Sequence, residues 1–591
     1  MESIKDFKRT NYCGDLRKED IGKEVILMGW VAKERNLGSL IFIDLRDTTG
    51  ISQIVVREEE KEAFEKAEGI RGEYVIAVKG KVEERESKNP NMDTGDVEIN
   101  VKELRILDRA KTPPIYIKDD DDAQEEIRLK YRYLDLRKKH LQDNLKLRAK
   151  TARVFREFLD QENFVEVETP VLNKPTPEGA RDYLVPSRVN PEKFYALPQS
   201  PQLMKQLLMV AGMDRYYQIV KCFRDEDLRA NRQPEFTQVD IEMSFVDEED
   251  VMDLNERLLQ KIFKEVKGVD IEIPFRRMSY QEAMENYGSD KPDLRFGFPL
   301  KNLTEIVKDS GFKVFSGNCK EGYSVRGINI GDYEKEFSRK KVDRLEKFVK
   351  GYGAKGLAWI RIKDGEISSP IAKFLSEDEM DKIMETMEVE KNGLLLIVAD
   401  KNNIVFEALS GLRNHLGKEL GLKDPKDYQL AWVVDFPLFE YSEEDDRYVS
   451  KHHPFTHPRM EDLEFLEDSP EKVRSIAYDI VCNGDELAGG SIRINNRELQ
   501  EKMFKALNLS DDEIQQKFGF FVEALQYGTP PHGGIAYGLD RLIMILAETD
   551  NIKDVIAFPK TKSATDLLTE APSNVTEDQL EEVHIQFADG K

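Results

Sequence analysis

The chain has 591 residues, of which 34% are charged and 40% hydrophobic, and 114 acidic against 89 basic residues give it a formal net charge of −25. A chain of this length is too long for one hydrophobic core, so about three or four domains are expected. The acidic balance argues against nonspecific nucleic-acid binding, which depends on cations that neutralise phosphates, but it leaves room for a local basic face.

Cysteine usage and hydropathy predict a cytoplasmic protein without membrane attachment. The four cysteines, at positions 13, 222, 319 and 482, include no Cys-x-x-Cys pair, so neither a disulfide framework nor a zinc ribbon is indicated. No apolar run reaches the length of a membrane span, and the N-terminal residues lack the pattern of a signal peptide. The cytoplasm is therefore the expected compartment.

Residues 20 to about 107 predict an all-β domain. Short alternating segments are separated by turns at Gly38 and Gly50, and one short helix is predicted over residues 59–68. This pattern is typical of the OB barrel, a five-stranded fold that often binds oligonucleotides, although a barrel without a ligand is the alternative. The predicted β segments are 25–31, 40–47, 51–56, 74–79, 81–86 and 97–104.

A charged linker and a helix–strand unit follow the barrel. The barrel ends at Thr112-Pro113-Pro114, and a charged segment leads to about residue 140. Within residues 151–172 the apolar residues first repeat on one helical face, and Asn163 then indicates the end of the helix. The next residues alternate as a strand up to Pro170, so a helix, a strand and a proline are predicted in that order.

Residues 223–245 predict a β-hairpin that carries Arg224 at the end of its first strand. The return strand alternates apolar and polar residues and places Gln238, Asp240 and Glu242 on its polar face. An arginine beside carboxylates in one hairpin suits a ligand that carries both a phosphate and a cationic group. The alternative is a salt-bridged surface hairpin without a ligand.

The remaining chain predicts an inserted module and a glycine-rich strand that enters a helix. Residues 289–425 form a predicted α+β insertion that contains no catalytic constellation. Further on, the strand from His532 to Gly538 runs into a helix with Arg541 in its first turn. Glycines allow the backbone to approach a ligand closely, although a tight turn before a buried helix is the simpler interpretation.

These three segments, in this order, resemble the three motifs of the class II aminoacyl-tRNA synthetases. The chain most closely resembles the bacterial-type aspartyl-tRNA synthetases, because three further motifs are typical of that family and the resemblance runs from about Arg9 to about Pro572. The resemblance implies a multidomain α+β protein with an OB barrel, a class II antiparallel sheet flanked by helices, and an inserted α+β domain. The further motifs lie at residues 176–182, 199–206 and 489–493.

The resemblance also implies a domain order. It comprises an OB-fold anticodon-binding domain at 1–107, a linker at 108–140, a first catalytic part at 141–288, a bacterial-type inserted domain at 289–425, a second catalytic part at 426–556 and a C-terminal extension at 557–591.

The implied activity is the ATP-dependent attachment of L-aspartate to tRNA(Asp) through an aspartyl-adenylate, by a homodimer that uses Mg²⁺. Whether tRNA(Asn) is a second substrate stays open, because discrimination depends on a few barrel positions near the third anticodon base, and Ala32, which is one of them, does not decide it. The alternatives are an asparaginyl or lysyl relative and a noncatalytic tRNA-binding paralogue. Lys205 and Arg493 argue against the first, since neither an amide nor an ammonium side chain favours two cations. An intact catalytic set argues against the second.

The family motifs assign roles to particular residues of this chain. Catalysis is expected from Arg224, Glu226 and Arg541, with Asp479 and Glu486 as ligands of Mg²⁺. The expected ATP-binding residues are Arg224, Asp225, Glu226, Gln233, Phe236, Glu486, Gly538, Leu539, Asp540 and Arg541, with Phe236 and Arg541 on either side of the adenine. The expected aspartate-binding residues are Glu178, Gln202, Lys205, Arg224, Asp240, His452, His453 and Arg493.

Two physical expectations accompany these roles. Lys205 and Arg493 should be left underpaired by a neutral asparagine, and a charged imidazolium from the His452-His453 pair should add to the field around the substrate carboxylate. In the barrel, the family reads the anticodon with residues that stack on bases or bond to their edges. They correspond to Arg35, Phe42, Gln53 and Glu98.

Overall fold

The computed structural model describes residues 2–175, 179–226, 231–443 and 446–588. The chain divides into two compact units. One comprises Met1–Lys146 and Lys553–Asn574, and the other comprises Leu147–Ile552 and Val575–Lys591. The division into six domains inferred from the sequence stays a prediction.

The first unit contains a closed five-stranded barrel, which confirms the predicted OB fold. Alternate residues point inward and form one hydrophobic core, as the period-2 pattern predicts. The two segments predicted on either side of Gly80 are one strand, with a register shift at Gly80. The chains approach closely there, since a Cβ at Gly80 would lie 2.4 Å from the Asn100 carbonyl oxygen. The strands are Glu24–Asn36, Leu40–Arg46, Ile51–Arg57, Val75–Glu84 and Val97–Asp108, and the helix is Lys61–Glu68.

A buried arginine ties the linker to the later segment of the same unit. Arg132 lies in the second of two short helices, Glu125–Lys130 and Arg132–Asp135. It forms an ion pair with Asp135 at 2.7 Å and donates to the carbonyl oxygen of Lys553 at 2.6 Å. Since the guanidinium is almost fully buried, these partners replace the water it loses.

The second unit is built around an eight-stranded sheet. Its neighbours are antiparallel except for the pair at each edge, which is parallel. The predicted hairpin and the predicted glycine-rich strand lie side by side at its centre. In spatial order the strands are Arg276–Ser279, Leu430–Val434, Ala477–Cys482, Asp485–Ile492, His532–Gly538, Glu235–Ser244, Arg215–Phe223 and Val165–Glu166.

The predicted helix–strand unit is present, with a shorter strand than expected. The helix Lys139–Gln161 is followed by Asn163, whose φ of 63° is the left-handed conformation that ends a helix. The strand that follows is Val165–Glu166, which pairs in parallel with Tyr216 and Tyr217.

The predicted α+β insertion contains a second, antiparallel sheet. Its central strand, Gly393–Asp400, is buried along its whole length because helices cover both faces. Arg339–Lys350 and Asn402–Glu419 pack on one face, and Lys313–Lys320 and Glu377–Thr386 on the other. In spatial order the strands are Lys301–Asn302, Ser324–Asn329, Gly393–Asp400, Ala358–Lys363 and Glu366–Ser368.

The other elements of the second unit complete its layers. Among the described residues, no helix is long and apolar enough to cross a membrane. The two further hairpins are Leu184–Pro186 with Phe194–Ala196 and Phe439–Ser442 with Arg447–Ser450. The further helices are Gln202–Val210, Glu248–Ile262, Tyr280–Tyr287, Thr304–Val307, Arg497–Ala506, Asp511–Ala524, Leu539–Leu546 and Glu577–Glu582.

Candidate active site

A cavity of about 240 Å³ opens over the centre of the eight-stranded sheet. The hairpin, the strand that begins at Asp485 and the start of the helix Leu539–Leu546 all contribute side chains to it. Segments that are far apart in sequence thus meet at one place. The lining residues are Arg224, Glu226, Asn231, Arg232, Gln233, Phe236, Gln238, Glu486, Ala536, Gly538, Asp540, Arg541 and Ile552.

Two arginines in this cavity have donors to spare. The Arg224 guanidinium lies over the Phe236 ring at 5.1 Å, and Arg541 donates from Nη1 to the Glu486 carbonyl oxygen at 2.5 Å. The Nε atoms of both arginines are buried without a hydrogen-bond partner. Because a buried unpaired donor costs free energy, both guanidiniums are suited to an anionic ligand that supplies the missing acceptors.

Two residues that the sequence assigned to ATP do not line the cavity. Asp225 is exposed, and Leu539 is buried within its helix. Asp540 lines the cavity, but its carboxylate accepts hydrogen bonds from Arg148 and from the backbone N–H of Thr237. Asp540 therefore joins the helix to the hairpin within this structure.

Four buried charged side chains form a cluster on the same sheet. Lys205 Nζ is 2.9 Å from Asp240 Oδ1 and 3.4 Å from Glu242 Oε2. Arg493 donates to Glu242 from Nε at 2.9 Å and from Nη2 at 3.2 Å, and to Ser491 Oγ from Nη1 at 2.6 Å. Each of the four is at most 2% exposed. We call Lys205, Asp240, Glu242 and Arg493 the charged cluster.

Glu242 is the functional candidate that the sequence analysis did not select. Its only signal was its place on the polar face of the return strand. Because Glu242 contacts both cations, Lys205 and Arg493 are already paired with it in this structure, and the expectation that asparagine would leave them underpaired stays a prediction. The Glu242 carboxylate packs so closely against the backbone of position 534 that glycine is required there, since a Cβ would lie 2.0 Å from Glu242 Oε2.

The two carboxyl groups of the cluster differ in their pKa. Burial raises the pKa of Asp240, and the Lys205 ammonium offsets only part of that effect. Burial acts on Glu242 in the same direction, but Arg493 and Lys205 together outweigh it and lower the pKa of Glu242. The two cations thus favour the ionised form of Glu242, which contacts both of them, while Asp240 has weaker compensation.

The two adjacent histidines have different environments. His453 Nε2 is 2.7 Å from Arg493 Nη1, and burial followed by the Arg493 charge lowers the pKa of His453 well below its usual value. Burial thus favours the neutral form of His453, and the expected imidazolium from the pair stays a prediction for His452. His452 Nε2 lies 3.8 Å from Asp479 Oδ1, and its ring meets Phe436 edge-on.

Three buried polar atoms, one in the charged cluster and two on the helix that carries Lys205, lack hydrogen-bond partners. Asp240 Oδ2, Gln202 Nε2 and Gln206 Nε2 are buried without a hydrogen-bond partner. They offer one acceptor, which suits an ammonium, and two amide donors, which suit a carboxylate. Glu178, which the family motif assigns to the substrate, lies outside the described residues.

Asp479 and Glu486 face each other across one glycine. A Cβ at Gly489 would be 2.7 Å from Asp479 Oδ1 and 3.4 Å from Glu486 Oε1, so the space between the two carboxylates exists because position 489 has no side chain. Burial and then the Glu486 charge raise the pKa of Asp479, whose Oδ1 has no hydrogen-bond partner. The described residues contain no cluster of three or more His, Cys, Asp or Glu side chains that could hold a metal, so the predicted metal ligands are a pair of carboxylates.

The barrel brings the four predicted anticodon residues together. Arg35 lies opposite Phe42, with its guanidinium 5.7 Å from the ring centroid, and it donates to Gln53 Oε1 at 3.1 Å. Gln53 in turn donates to Glu98 Oε2 at 2.8 Å. The sequence analysis missed Arg85, which donates to Gln53 Oε1 at 2.8 Å. The five residues form one polar patch with one aromatic face.

The family models and the relatives that match this chain describe tRNA synthetases and a nucleic-acid binding domain. Residues 124–562 match the family model described as tRNA synthetases class II (D, K and N), and residues 25–107 match the OB-fold nucleic acid binding domain. A protein of Caldanaerobacter subterraneus subsp. tengcongensis named Aspartate--tRNA(Asp/Asn) ligase is 57% identical over 99% of both chains. A protein of Clostridium botulinum named Aspartate--tRNA ligase is 58% identical over 99% of both chains.

Solved structures share the fold at lower identity. Asparaginyl-tRNA synthetase from Pyrococcus horikoshii, complexed with asparaginyl-adenylate, has a TM-score of 0.58 at 19% identity and covers 94% of this chain and 98% of its own. Aspartyl tRNA synthetase from Entamoeba histolytica has a TM-score of 0.58 at 20% identity, with 93% and 91% covered. At these identities the likeness concerns the fold alone.

Proposed function

Since this chain belongs to the aspartate–tRNA ligases of the class II tRNA synthetases, we propose that its charged cluster binds L-aspartate and that the cavity over the same sheet binds ATP. In the first step the substrate carboxylate attacks the α-phosphorus of ATP, and pyrophosphate leaves. In the second step a terminal ribose hydroxyl of tRNA attacks the aspartyl carbonyl, and AMP leaves.

The observation that carries this assignment is the return strand of the hairpin. Phe236 and Gln238 line the cavity, and Asp240 and Glu242 belong to the charged cluster. Because side chains two residues apart lie on one face of a strand, these four follow one another along the same surface. An amino acid in the cluster and a nucleotide in the cavity are therefore neighbours on this strand, which favours the attack of one on the other.

Arg224 is the proposed clamp for the α-phosphate. It stands at the end of the first hairpin strand, and its backbone N–H closes the hairpin by donating to the Pro234 carbonyl at 2.9 Å. The unpartnered Nε and the planar guanidinium suit two oxygens at once. Phe236 and Arg541 offer an aromatic face and a cation to the adenine. Glu226, which pairs with Arg232 at 2.7 Å, would orient the nucleotide.

Selection of aspartate over asparagine follows from the donors that remain in the cluster. Lys205 has three N–H donors and Arg493 five, and their contacts with described residues leave each cation with one. A carboxylate has acceptors for both. The amide of asparagine would turn its own donor toward one of them, which leaves a buried donor unpaired and weakens binding.

Asp479 and Glu486 are the proposed holders of Mg²⁺. Magnesium in ATP sites is bound by one or two carboxylates together with the phosphates, and this pair offers oxygens around a space that a Cβ at position 489 would fill. When bound, the ion would neutralise charge on the departing pyrophosphate.

We also propose a cytoplasmic homodimer. Val165, Val171 and Leu172 flank Pro170 and are each about half exposed in the single chain, an apolar surface that a second copy would cover. Sedimentation velocity would report the expected dimer mass.

The barrel patch is the proposed anticodon site. Phe42→Ala should raise KM for tRNA about tenfold, because the loss of stacking on an aromatic ring costs about 1–3 kcal/mol per base. Aspartate-dependent exchange of pyrophosphate with ATP should not change, since it needs no tRNA. Tyr116→Ala removes an exposed aromatic side chain outside the patch and serves as the control. An unchanged KM in Phe42→Ala would contradict the assignment.

The activity is tested with two transcripts, one carrying an aspartate anticodon and one an asparagine anticodon. With ATP, Mg²⁺ and labelled aspartate, we expect the first transcript to be charged. Charging of the second transcript as well would show that the enzyme acts on both tRNA(Asp) and tRNA(Asn), as the name of the relative from Caldanaerobacter states. Failure on both would refute the proposed function.

A further inference from the structure

A lysine outside the predicted motifs contacts one member of the proposed metal pair, Glu486. Lys291 belongs to the segment that leads from the catalytic sheet into the inserted module. Its Nζ lies 3.4 Å from Glu486 Oε2 and 3.2 Å from Asp290 Oδ2. Among the described residues it is the only lysine or arginine within 4.0 Å of a carboxylate oxygen of Glu486 or Asp479. A cation therefore already pairs with Glu486, one of the two proposed metal ligands.

The inserted module holds this segment in place. Arg413, in the helix Asn402–Glu419, donates to the carbonyl oxygens of Asp293 at 2.8 Å and Phe296 at 2.7 Å. The Asp293 carboxylate is fully buried and pairs with Arg295 at 2.7 Å and with Lys423 at 3.2 Å. Lys291 is thus positioned by contacts of the insertion, for which the sequence indicated no role.

The same segment packs beside the turn that precedes Glu486. A Cβ at Gly484 would be 3.4 Å from Asp293 Cβ, so the two backbones approach closely there. Glu486 and Lys291 are each only about one-third exposed. Partial burial strengthens the attraction between the ammonium and the carboxylate relative to water.

We propose that Lys291 is the counter-ion of the Asp479–Glu486 pair in the ligand-free enzyme. The divalent cation bound to ATP then takes the place of the Lys291 ammonium at Glu486. The inference rests on the proposed metal role of the pair. In the ligand-free enzyme the ammonium satisfies Glu486, so a free divalent cation must compete with it. ATP adds phosphate oxygens to the metal's ligands, and the competition then favours the metal. Lys291 is in this sense a positioning residue that makes metal binding depend on the nucleotide.

The test is the binding of Mn²⁺ to the ligand-free enzyme, measured by electron paramagnetic resonance. Lys291→Met removes the charge and keeps most of the side-chain volume, and it should tighten Mn²⁺ binding about tenfold or more because the partly buried Glu486 carboxylate, beside the buried Asp479, loses its cation. Lys291→Arg should bind Mn²⁺ as the unmodified enzyme does. Lys418→Met, which removes an exposed lysine of the inserted module, is the matched control.

Two outcomes would overturn the proposal, and they differ in what else they affect. If Lys291→Met binds Mn²⁺ no more tightly while Glu486→Gln still abolishes the binding of Mn²⁺ with ATP, the counter-ion role fails and the metal assignment stands. If the Mn²⁺ gained in Lys291→Met survives the addition of Glu486→Gln, the metal is not at this pair and both assignments fail.

Discussion

Replacing Arg224 with alanine is expected to lower the rate of aspartyl-adenylate formation by about 1,000-fold or more, since single preorganised donors contribute about 100- to 1,000-fold and arginines on transferring phosphoryl groups still more. Negative charge gathers on the α-phosphate as the aspartate carboxylate attacks. Arg224 carries an unpartnered buried Nε toward a cavity that Arg541 also lines, and the Phe236 ring beneath it limits the positions it can take. The measurement is aspartate-dependent exchange of labelled pyrophosphate into ATP.

Two further variants separate geometry from charge. Arg224→Lys retains the positive charge but loses the planar pair of donors, so most of the rate should still be lost. Lys221→Ala removes a cation from the same strand, where Lys221 is half exposed and pairs with Glu235 only at 3.9 Å, and it should leave the exchange rate unchanged. A fall of less than tenfold in Arg224→Ala would show that this arginine is not the clamp.

Glu242→Gln is expected to be the most destabilising conservative change at the site. Glutamine has nearly the same shape, but it removes the charge that Lys205 and Arg493 share and turns an amide donor toward one of them. Removing one partner of a buried ion pair costs about 3–5 kcal/mol, which corresponds to a fall of several degrees in melting temperature. The KM for aspartate should rise as well, because Arg493 loses its anchor.

Thermal melting and aspartate kinetics on purified variants measure both effects. Glu249→Gln is the matched control, since that carboxylate is 59% exposed and its pair with Arg277 lies in solvent; exposed pairs contribute about 0–1 kcal/mol. An unchanged melting temperature in Glu242→Gln would mean that the charged cluster does not depend on its central anion. Normal aspartate kinetics with a lowered melting temperature would assign Glu242 to stability alone.

The sequence predicted the local elements that build this site. Period-2 alternation identified the return strand of the hairpin, Asn163 marked a helix end, and glycines followed by Arg541 marked a strand that enters a helix. Such features can be predicted because they depend on neighbours in the chain: strand and helix periods and the φ preference of a single residue. The family resemblance then named most of the residues that line the cavity.

By itself, the sequence determined the barrel, the order of the motifs and the family, because these depend on local patterns and on residue identities. Only the tertiary structure decided that Arg493 is paired with Glu242, that His453 is neutral and that Lys291 stands beside Glu486. Each of these is a contact between segments that are distant in the chain. In the sheet, the strand His532–Gly538 lies between the strand that contains Glu486 and the return strand of the hairpin. The hydrophobic periodicity of each segment does not predict which side chains this strand order brings into contact. The protonation and pairing of buried side chains depend on the distances between their charged groups and on their burial away from water. Both are known only from the tertiary structure.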